Sequence, residues 1–121
     1  MENKINMFVY GTLMQGLGNH KVLGNSRFIS KAKTKGLYAL FALGIPYVTK
    51  SVNKDRIHGE VYEVNETDLV NVDRLEGHPR FYKREQIDIE LENGDIIEAW
   101  IYFCDVNTKS VDYVVSGNYW D

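Results

Sequence analysis

Two short segments carry residue types that could do chemistry, and the first is Tyr10-Gly11-Thr12-Leu13. It directly follows an apolar run that begins at Ile5. A strand that breaks into a glycine-containing turn presents several backbone N–H groups in one direction, which suits the turn to bind an anion or an oxyanion. Many strands leave a sheet through such a turn without binding anything. The tetrapeptide taken alone is therefore more typical of an ordinary strand exit.

The second segment places Glu76 at the end of a predicted helix, directly before Gly77. The helix macrodipole puts partial negative charge at this end, which is expected to raise the pKa of the carboxyl. A carboxyl with a raised pKa suits proton transfer near neutral pH. An exposed glutamate at a helix end is equally common, so the residues alone leave the two interpretations even.

The histidines and the cysteine do not indicate a metal site. His20, His58 and His78 show no spacing of three or four residues, so a local zinc pattern is absent. His78 could still tune the nearby Glu76. The single Cys104 excludes an internal disulfide and a multi-cysteine metal site, and it is expected to be a small buried apolar residue. We therefore expect neither a metal nor a cofactor.

Two tyrosines and one basic segment complete the candidates. Tyr82 and Tyr102 lie on or beside predicted strands, where their hydroxyls could reach into a cavity and support the site. The basic and aromatic run at 80–84 could suggest stacking on RNA. It lies between an acidic helix and an acidic strand, so we do not expect nucleic acid to bind there.

The elements that must position these residues are mostly strands. Apolar runs and alternation predict strands over 5–10, over parts of 26–41 with a bend at Gly36, over 57–64, over 86–92 and over 96–103. The last of these is apolar on nearly both faces, which predicts a central strand. Asn93-Gly94 predicts a type I′ hairpin turn. A short helix capped by Asn19 and closed at Gly24 is also expected.

One good helix is predicted over 66–76. Asn65 is its expected N-cap, and Asp68 occupies the capping-box position. Apolar residues at 69, 72 and 75, with Val70 beside them, predict one packed face. Strands joined mainly by hairpins and accompanied by one main helix predict an α+β fold, a small, mixed and mostly antiparallel β-barrel.

Composition limits the class of protein. The 121 residues are 44% hydrophobic and 26% charged, which is typical of a single globular domain over 1–121. Fourteen basic and seventeen acidic residues give a net charge of −3, which argues against a nucleic-acid partner. No apolar run approaches the ~20 residues of a membrane span, and no signal peptide is apparent. We expect a cytoplasmic protein that meets neither membrane nor nucleic acid and is a monomer or weak homodimer.

Taken together, the segments resemble one family, the γ-glutamylcyclotransferase-like superfamily, and within it the γ-glutamylamine cyclotransferase branch. The resemblance runs from residue 5 to about 103. The order and spacing of the matching motifs are more specific than any single motif. The matching segments are Phe8–Leu13 with Gly16, Gly18–His20 and Val22–Leu23; then His58–Val64; then Leu75–Gly77 with Tyr82 and Arg84 downstream; and finally Ala99–Tyr102.

The resemblance implies a small mixed barrel with a cavity at one end. It also implies a reaction in which the α-amine of a γ-glutamyl amide attacks its own γ-carbonyl, releasing 5-oxoproline and a free amine or amino acid. Glu76 would be the catalytic acid and base, and Tyr10, Gly11, Thr12 and Leu13 would bind the γ-glutamyl group. Met14 and Leu17 are apolar where relatives often carry basic or polar residues. Residues 104–121 have no match in the family pattern.

Three alternatives remain open. The same barrel could serve as a non-catalytic module that binds a small molecule. It could keep the chemistry but remove a γ-glutamyl protecting group from a specialised amine in one pathway. An interaction protein would instead show an exposed apolar patch in place of a pocket.

Overall fold

A computed structural model describes residues 4–11, 23, 26–43, 45–50, 55–78 and 82–104. In this part of the chain lie seven strands and one helix. Their order is β1 (Ile5–Val9), β2 (Arg27–Thr34), β3 (Ala39–Leu43), β4 (Ile45–Thr49), β5 (His58–Val64), α1 (Glu66–Glu76), β6 (Lys83–Leu91) and β7 (Ile96–Phe103). The predicted short helix at 19–24 and the segment 105–121 lie outside the described residues, except for the buried Leu23.

The strands form one sheet in the order β1-β5-β2-β6-β7-β4-β3. Most neighbours are antiparallel, but β7 pairs in parallel with β4 at Val48 and Phe103 and with β1 at Met7 and Trp100. The second parallel pairing returns the sheet to its first strand, so β1, β5, β2, β6 and β7 form a closed ring of pairings. The predicted α+β class, with one main helix and a mostly antiparallel sheet, is confirmed. The central position predicted for 96–103 is also confirmed, because β7 contacts three strands.

Alternation along the strands divides the core between the two faces of the sheet. Phe8 on β1 and Ile101 on β7 belong to one cluster of buried residues. Their neighbours in sequence, Met7, Val9 and Tyr102, belong to a second cluster, which contains Val72 of α1. Successive side chains of a strand point to opposite faces, so this division follows from the period of two. The helix therefore packs on one face of the sheet, directly against β1, β5 and β7.

Both ends of α1 are fixed by local hydrogen bonds. The side chain of Asn65 accepts a hydrogen bond from the backbone N–H of Asp68 at 2.8 Å, which confirms the predicted N-cap. At the other end Gly77 has φ 68° and ψ 34°, a left-handed conformation that glycine adopts without steric cost. The N–H of Gly77 donates to the carbonyl of Arg74, and that of His78 donates to the carbonyl of Asp73. This pair of bonds is the Schellman motif, and it ends the helix at Glu76.

The packed face of α1 differs from the predicted face. Val72 is fully buried and Leu69 is half-buried, but Val70 and Leu75 are 54% and 44% exposed. The residues four positions after Leu69 and Val72 are Asp73 and Glu76, which share their side of the helix and are both half-buried. Asp73 and Glu76 therefore lie toward the sheet, and the expectation that position 75 packs is wrong.

The turn between β6 and β7 also differs from the prediction. Leu91 and Asp95 face each other, with the Leu91 N–H donating to the Asp95 carbonyl at 2.8 Å, so three residues form the loop. The Gly94 N–H donates to the Leu91 carbonyl, and Gly94 has φ 94°. This is the three-residue loop in which a type I turn is followed by a glycine with positive φ. A type I′ turn would need positive φ at two residues in succession.

Within the described residues, the single helix is short, and no helix has the length and apolar character needed to cross a membrane.

Candidate active site

Glu76 is the last residue of α1 and is half-buried against the sheet. Removal from water raises the pKa of its carboxyl from 4.5 to about 7. The sequence predicted the direction of this shift but attributed it to the helix dipole. The larger cause is burial, which follows from the packed side of the helix on which position 76 lies. In the described part of the chain, the carboxyl has no hydrogen bond or ion pair of its own.

Tyr10 follows β1 and is buried beside Glu76. Its hydroxyl donates a hydrogen bond to the carbonyl oxygen of Tyr102 at 2.8 Å and accepts one from the backbone N–H of Val48 at 3.3 Å. Burial holds the pKa of Tyr10 well above its usual range, and the negative charge of Glu76 raises it further. The end of β1 and the end of α1 therefore lie close together. Gly11 is buried next to Tyr10.

Tyr102 of β7 connects the same two elements. Its carbonyl oxygen accepts the hydrogen bond from Tyr10, and its hydroxyl donates to Oδ1 of Asp73 at 2.5 Å. Burial raises the pKa of Tyr102, and so do the hydrogen bond to Asp73 and the charge of Glu76. The sequence suggested that this hydroxyl could reach into a cavity. In the structure it is bonded to the helix.

Asp73 is also paired with a cation. Nε of Arg84 donates to both carboxylate oxygens of Asp73, at 2.9 and 3.2 Å. The guanidinium lies over the ring of Trp100, 4.6 Å from its centroid, and the backbone N–H of Arg84 donates to Nδ1 of His78 at 3.3 Å. Sequence reasoning gave Asp73 no role. The available signal was its position one helical turn before Glu76.

Gly59 allows β5 to approach the end of β1 closely. A Cβ atom at this position would lie 2.2 Å from the carbonyl oxygen of Val9 and 2.7 Å from the ring of Phe8. Only a residue without a side chain fits between these atoms. The close approach occurs one residue before Tyr10, so Gly59 helps to fix the start of the loop. Its role was not visible in the sequence because it depends on strand register.

The structure thus brings together Tyr10, Glu76 and Tyr102, with Tyr82 close enough to Tyr10 for its charge to raise the pKa of that residue. Cys104 also acts electrostatically on Tyr10, and it is half-buried where full burial was expected. Thr12 and Leu13 lie outside the described residues, as do Met14 and Leu17, so the predicted backbone cradle stays a prediction. The described residues include no group of three or more His, Cys, Asp or Glu arranged to hold a metal ion.

This arrangement suits proton transfer. A carboxyl with a pKa of about 7 is divided between its two protonation states near neutral pH, so it can both accept and return a proton. Tyr10 and Tyr102 lie close enough for the charge of Glu76 to raise the pKa of each. Tyr10 and Gly11, the first two residues of the predicted binding segment, directly follow β1.

Comparison with known proteins identifies related sequences. A family model described as gamma-glutamyl cyclotransferase, AIG2-like, matches residues 7–121, so the expectation that residues 104–121 have no match in the family pattern is wrong. A Methanocaldococcus jannaschii protein assigned provisionally as a gamma-glutamylcyclotransferase is 47% identical over 112 residues, covering 88% of this chain and 93% of that protein. Gamma-glutamylaminecyclotransferase A of Danio rerio is 33% identical over 114 residues, covering 81% of this chain and 68% of that protein.

A solved structure shows the same fold. The crystal structure of an AIG2-like protein from Mus musculus superposes with a TM-score of 0.84 at 28% identity. The superposition covers 94% of this chain and 88% of the mouse chain. The sheet and helix described above therefore recur over nearly the whole length of a relative.

Proposed function

This chain belongs to the gamma-glutamyl cyclotransferase, AIG2-like family, and from that membership we propose that it converts a γ-glutamyl amide into 5-oxoproline and a free amine or amino acid. The enzyme would be a lactam-forming acyltransferase. No water is consumed, because the nucleophile is the substrate's own α-amine. The observation that carries the proposal is the half-buried Glu76 carboxyl, with a pKa of about 7, close to Tyr10 at the end of β1.

The proposed reaction begins with a proton transfer. The α-ammonium group of the substrate has no lone pair, so it must lose a proton before it can attack, and the Glu76 carboxylate accepts that proton. The amine nitrogen then bonds to the γ-carbonyl carbon, closing a five-membered ring and placing negative charge on the carbonyl oxygen. The carbonyl re-forms as the bond from this carbon to the leaving nitrogen breaks, and Glu76 returns its proton to the leaving nitrogen. The ring nitrogen still carries two hydrogens and a positive charge, and it loses one proton to the released amine, which leaves a neutral lactam and a protonated amine.

Folding the substrate accounts for much of the expected rate. Attack within one molecule needs only that the glutamyl chain be held with its amine near its γ-carbonyl, and such orientation can lower a barrier by about 7–11 kcal/mol. We assign this holding to the loop that starts at Tyr10. The N–H groups of Gly11, Thr12 and Leu13 would bind the substrate carboxylate or the developing oxyanion.

The test is an incubation with a panel of γ-glutamyl compounds. The panel contains γ-glutamyl amino acids, γ-glutamyl-ε-lysine, glutathione and simple γ-glutamylamines, and 5-oxoproline is detected by mass spectrometry. We expect 5-oxoproline from at least one class and an equal amount of the released amine. Folded protein that binds a panel member and forms no product would instead support a non-catalytic binding module. A product of hydrolysis, free glutamate, would contradict the proposed ring closure.

The pH dependence of the reaction should follow the raised pKa of Glu76. The base must be ionised, so kcat/KM should fall as the pH decreases through about 7. An ordinary glutamate would place this acidic limb near pH 4.3. The measurement is kcat/KM from pH 5 to 9. The measurement is repeated with two substrates whose leaving amines differ in basicity. If the acidic limb reports the ionisation of Glu76, its midpoint should be at the same pH for both substrates. A limb centred below pH 5 would exclude Glu76 as the base.

A further inference from the structure

We propose that Asp73, Arg84 and Tyr102 form a positioning network that fixes the Glu76 carboxyl relative to the Tyr10 end of β1. The inference rests on the proposed function, because it concerns the placement of the proposed base. None of the three residues needs to touch the substrate. They act by holding the last turn of α1 against β6 and β7 while β1 is held to β7.

Asp73 joins the helix to two strands at once. It lies one turn before Glu76 on the packed side of α1, so its position and that of Glu76 are linked by rigid helical backbone. Its carboxylate accepts hydrogen bonds from Tyr102 of β7 at 2.5 Å and from Arg84 of β6 at 2.9 Å. These two donors face each other across the strand pair, because Arg84 and Tyr102 are partners in the register.

Tyr102 carries the connection from the helix to β1. Its side chain binds α1 through Asp73, while its backbone carbonyl binds the hydroxyl of Tyr10 at 2.8 Å. One residue thus sets the separation between the end of α1 and the end of β1. The residue is almost completely buried, and its hydrogen bond from Tyr10 is shielded from competing water, while the bond to Asp73 is part-buried.

Arg84 has a geometric and an electrostatic role. Its guanidinium is held over Trp100 at 4.6 Å and directs Nε at the carboxylate, an arrangement that a lysine ammonium cannot reproduce. The pairing also balances the charge of Asp73, one turn from Glu76. The charges of Asp73, Glu76 and Arg84 all affect the pKa of Tyr102, so the three charged groups surround the Tyr102 hydroxyl. Without Arg84, the charge of Asp73 would oppose ionisation of Glu76.

The other titratable groups near this point lie on every element that packs there. They are Tyr10 after β1, Glu60 and Tyr62 on β5, His78 after α1, Tyr82 before β6 and Cys104 after β7. None of these carries a fixed positive charge like that of Arg84. The balance of charge at Glu76 should therefore depend mainly on whether Asp73 and Arg84 are both present.

We expect Tyr102→Phe to lower kcat about 10-fold or more and to change KM less than about threefold, because misplacement of a reacting group by 1 Å can cost 100-fold in rate. The substitution removes one hydroxyl and keeps the buried ring, so the fold should survive it. Arg84→Met should lower kcat as well. Steady-state kinetics on a substrate found active in the panel provide both values.

The pH profile separates positioning from general stabilisation. Arg84→Met leaves Asp73 unbalanced and should move the acidic limb of kcat/KM to higher pH. Asp73→Asn leaves Arg84 unbalanced and should move it to lower pH. Arg56→Met is the matched control. Arg56 is likewise paired with a carboxylate, that of Glu90 at the opposite end of β6, and its Nε donates to the carbonyl of Thr34. It should leave both kcat and the limb unchanged.

A measurement that does not need turnover keeps this inference separate from the proposed function. The ¹³Cδ chemical shift of Glu76 is followed against pH in the wild-type protein, Arg84→Met, Asp73→Asn and Arg56→Met. Opposite displacements of its titration in the first two variants support the network even if no panel substrate reacts. The network is overturned if the titration stays in place in both variants, or if Arg56→Met lowers kcat as much as Arg84→Met does.

Discussion

Replacing Glu76 by glutamine should lower the rate of 5-oxoproline formation by about 10²–10⁴-fold. The amide keeps the size and shape of the carboxyl but cannot accept a proton from the substrate ammonium or return one to the leaving amine. Binding should change much less than turnover, since the Tyr10 loop is untouched. The measurement is kcat and KM on the best substrate of the panel, with product identified by mass spectrometry. Turnover within threefold of wild type would exclude Glu76 from the chemistry.

The same substitution should not weaken the fold. Because burial raises the pKa of Glu76 to about 7, the folded protein binds more protons than the unfolded chain between about pH 4.5 and 7. Its free energy of unfolding should therefore decrease as the pH rises through that range. Glu76→Gln removes this dependence and should stabilise the protein by about 1–2 kcal/mol at pH 8. Urea unfolding at pH 5 and pH 8 would show it. A variant that is less stable at both values would indicate a structural role.

Gly59→Ala should lower the free energy of unfolding by about 3 kcal/mol or more. The added Cβ would lie 2.2 Å from the carbonyl oxygen of Val9, and that oxygen belongs to a strand hydrogen-bonded along its length. Relief would require β1 and β5 to separate one residue before Tyr10. We expect activity at low temperature to fall too, because the proposed binding loop starts there. Urea unfolding monitored by tryptophan fluorescence measures the loss of stability.

Gly36→Ala is the matched control for that experiment. A Cβ at Gly36 would lie 3.2 Å from the hydroxyl oxygen of Tyr38, so a movement of a few tenths of an ångström at the end of that side chain would relieve the contact. The expected change is within about 0.5 kcal/mol. If both alanine variants unfold at the same urea concentration, then the close approach at Gly59 does not constrain the sheet.

The sequence allowed most elements of the fold to be predicted, because alternation and helical spacing report burial directly. The strands near β1, β5, β6 and β7 and the cap at Asn65 were found this way. The exposure of Leu75 was not predicted. Spacing within a single helical turn does not decide which of two neighbouring positions faces the sheet. The loop ending at Gly94 was assigned one residue too short. The residue pair Asn-Gly is compatible with a two-residue loop and with a three-residue loop. The hydrogen bond between Leu91 and Asp95 decides for the three-residue loop.

The candidate site could be proposed at single residues but not in its connections. Residue type and position at the ends of elements made Glu76 and Tyr10 candidates, and the family resemblance favoured them over the ordinary alternatives. The network of Asp73, Arg84 and Tyr102 depends on which strands are neighbours across the sheet, and no local pattern encodes that register. The same holds for Gly59, whose function is set by its distance to a carbonyl on another strand.

The closed ring of strand pairings has a consequence for how the chain reaches its native state. The hydrogen bond from Tyr10 to Tyr102 joins residues 92 positions apart, and β1 cannot gain its second neighbour until β7 is available. Closing so long a loop costs chain entropy before any contact is gained, so folding is expected on the scale of milliseconds to seconds. During synthesis one edge of β1 stays unpaired until β7 has been synthesised. Exposed edges of this kind are where aggregation begins, and the proposed catalytic machinery, which spans α1, β1 and β7, is completed only by that final pairing.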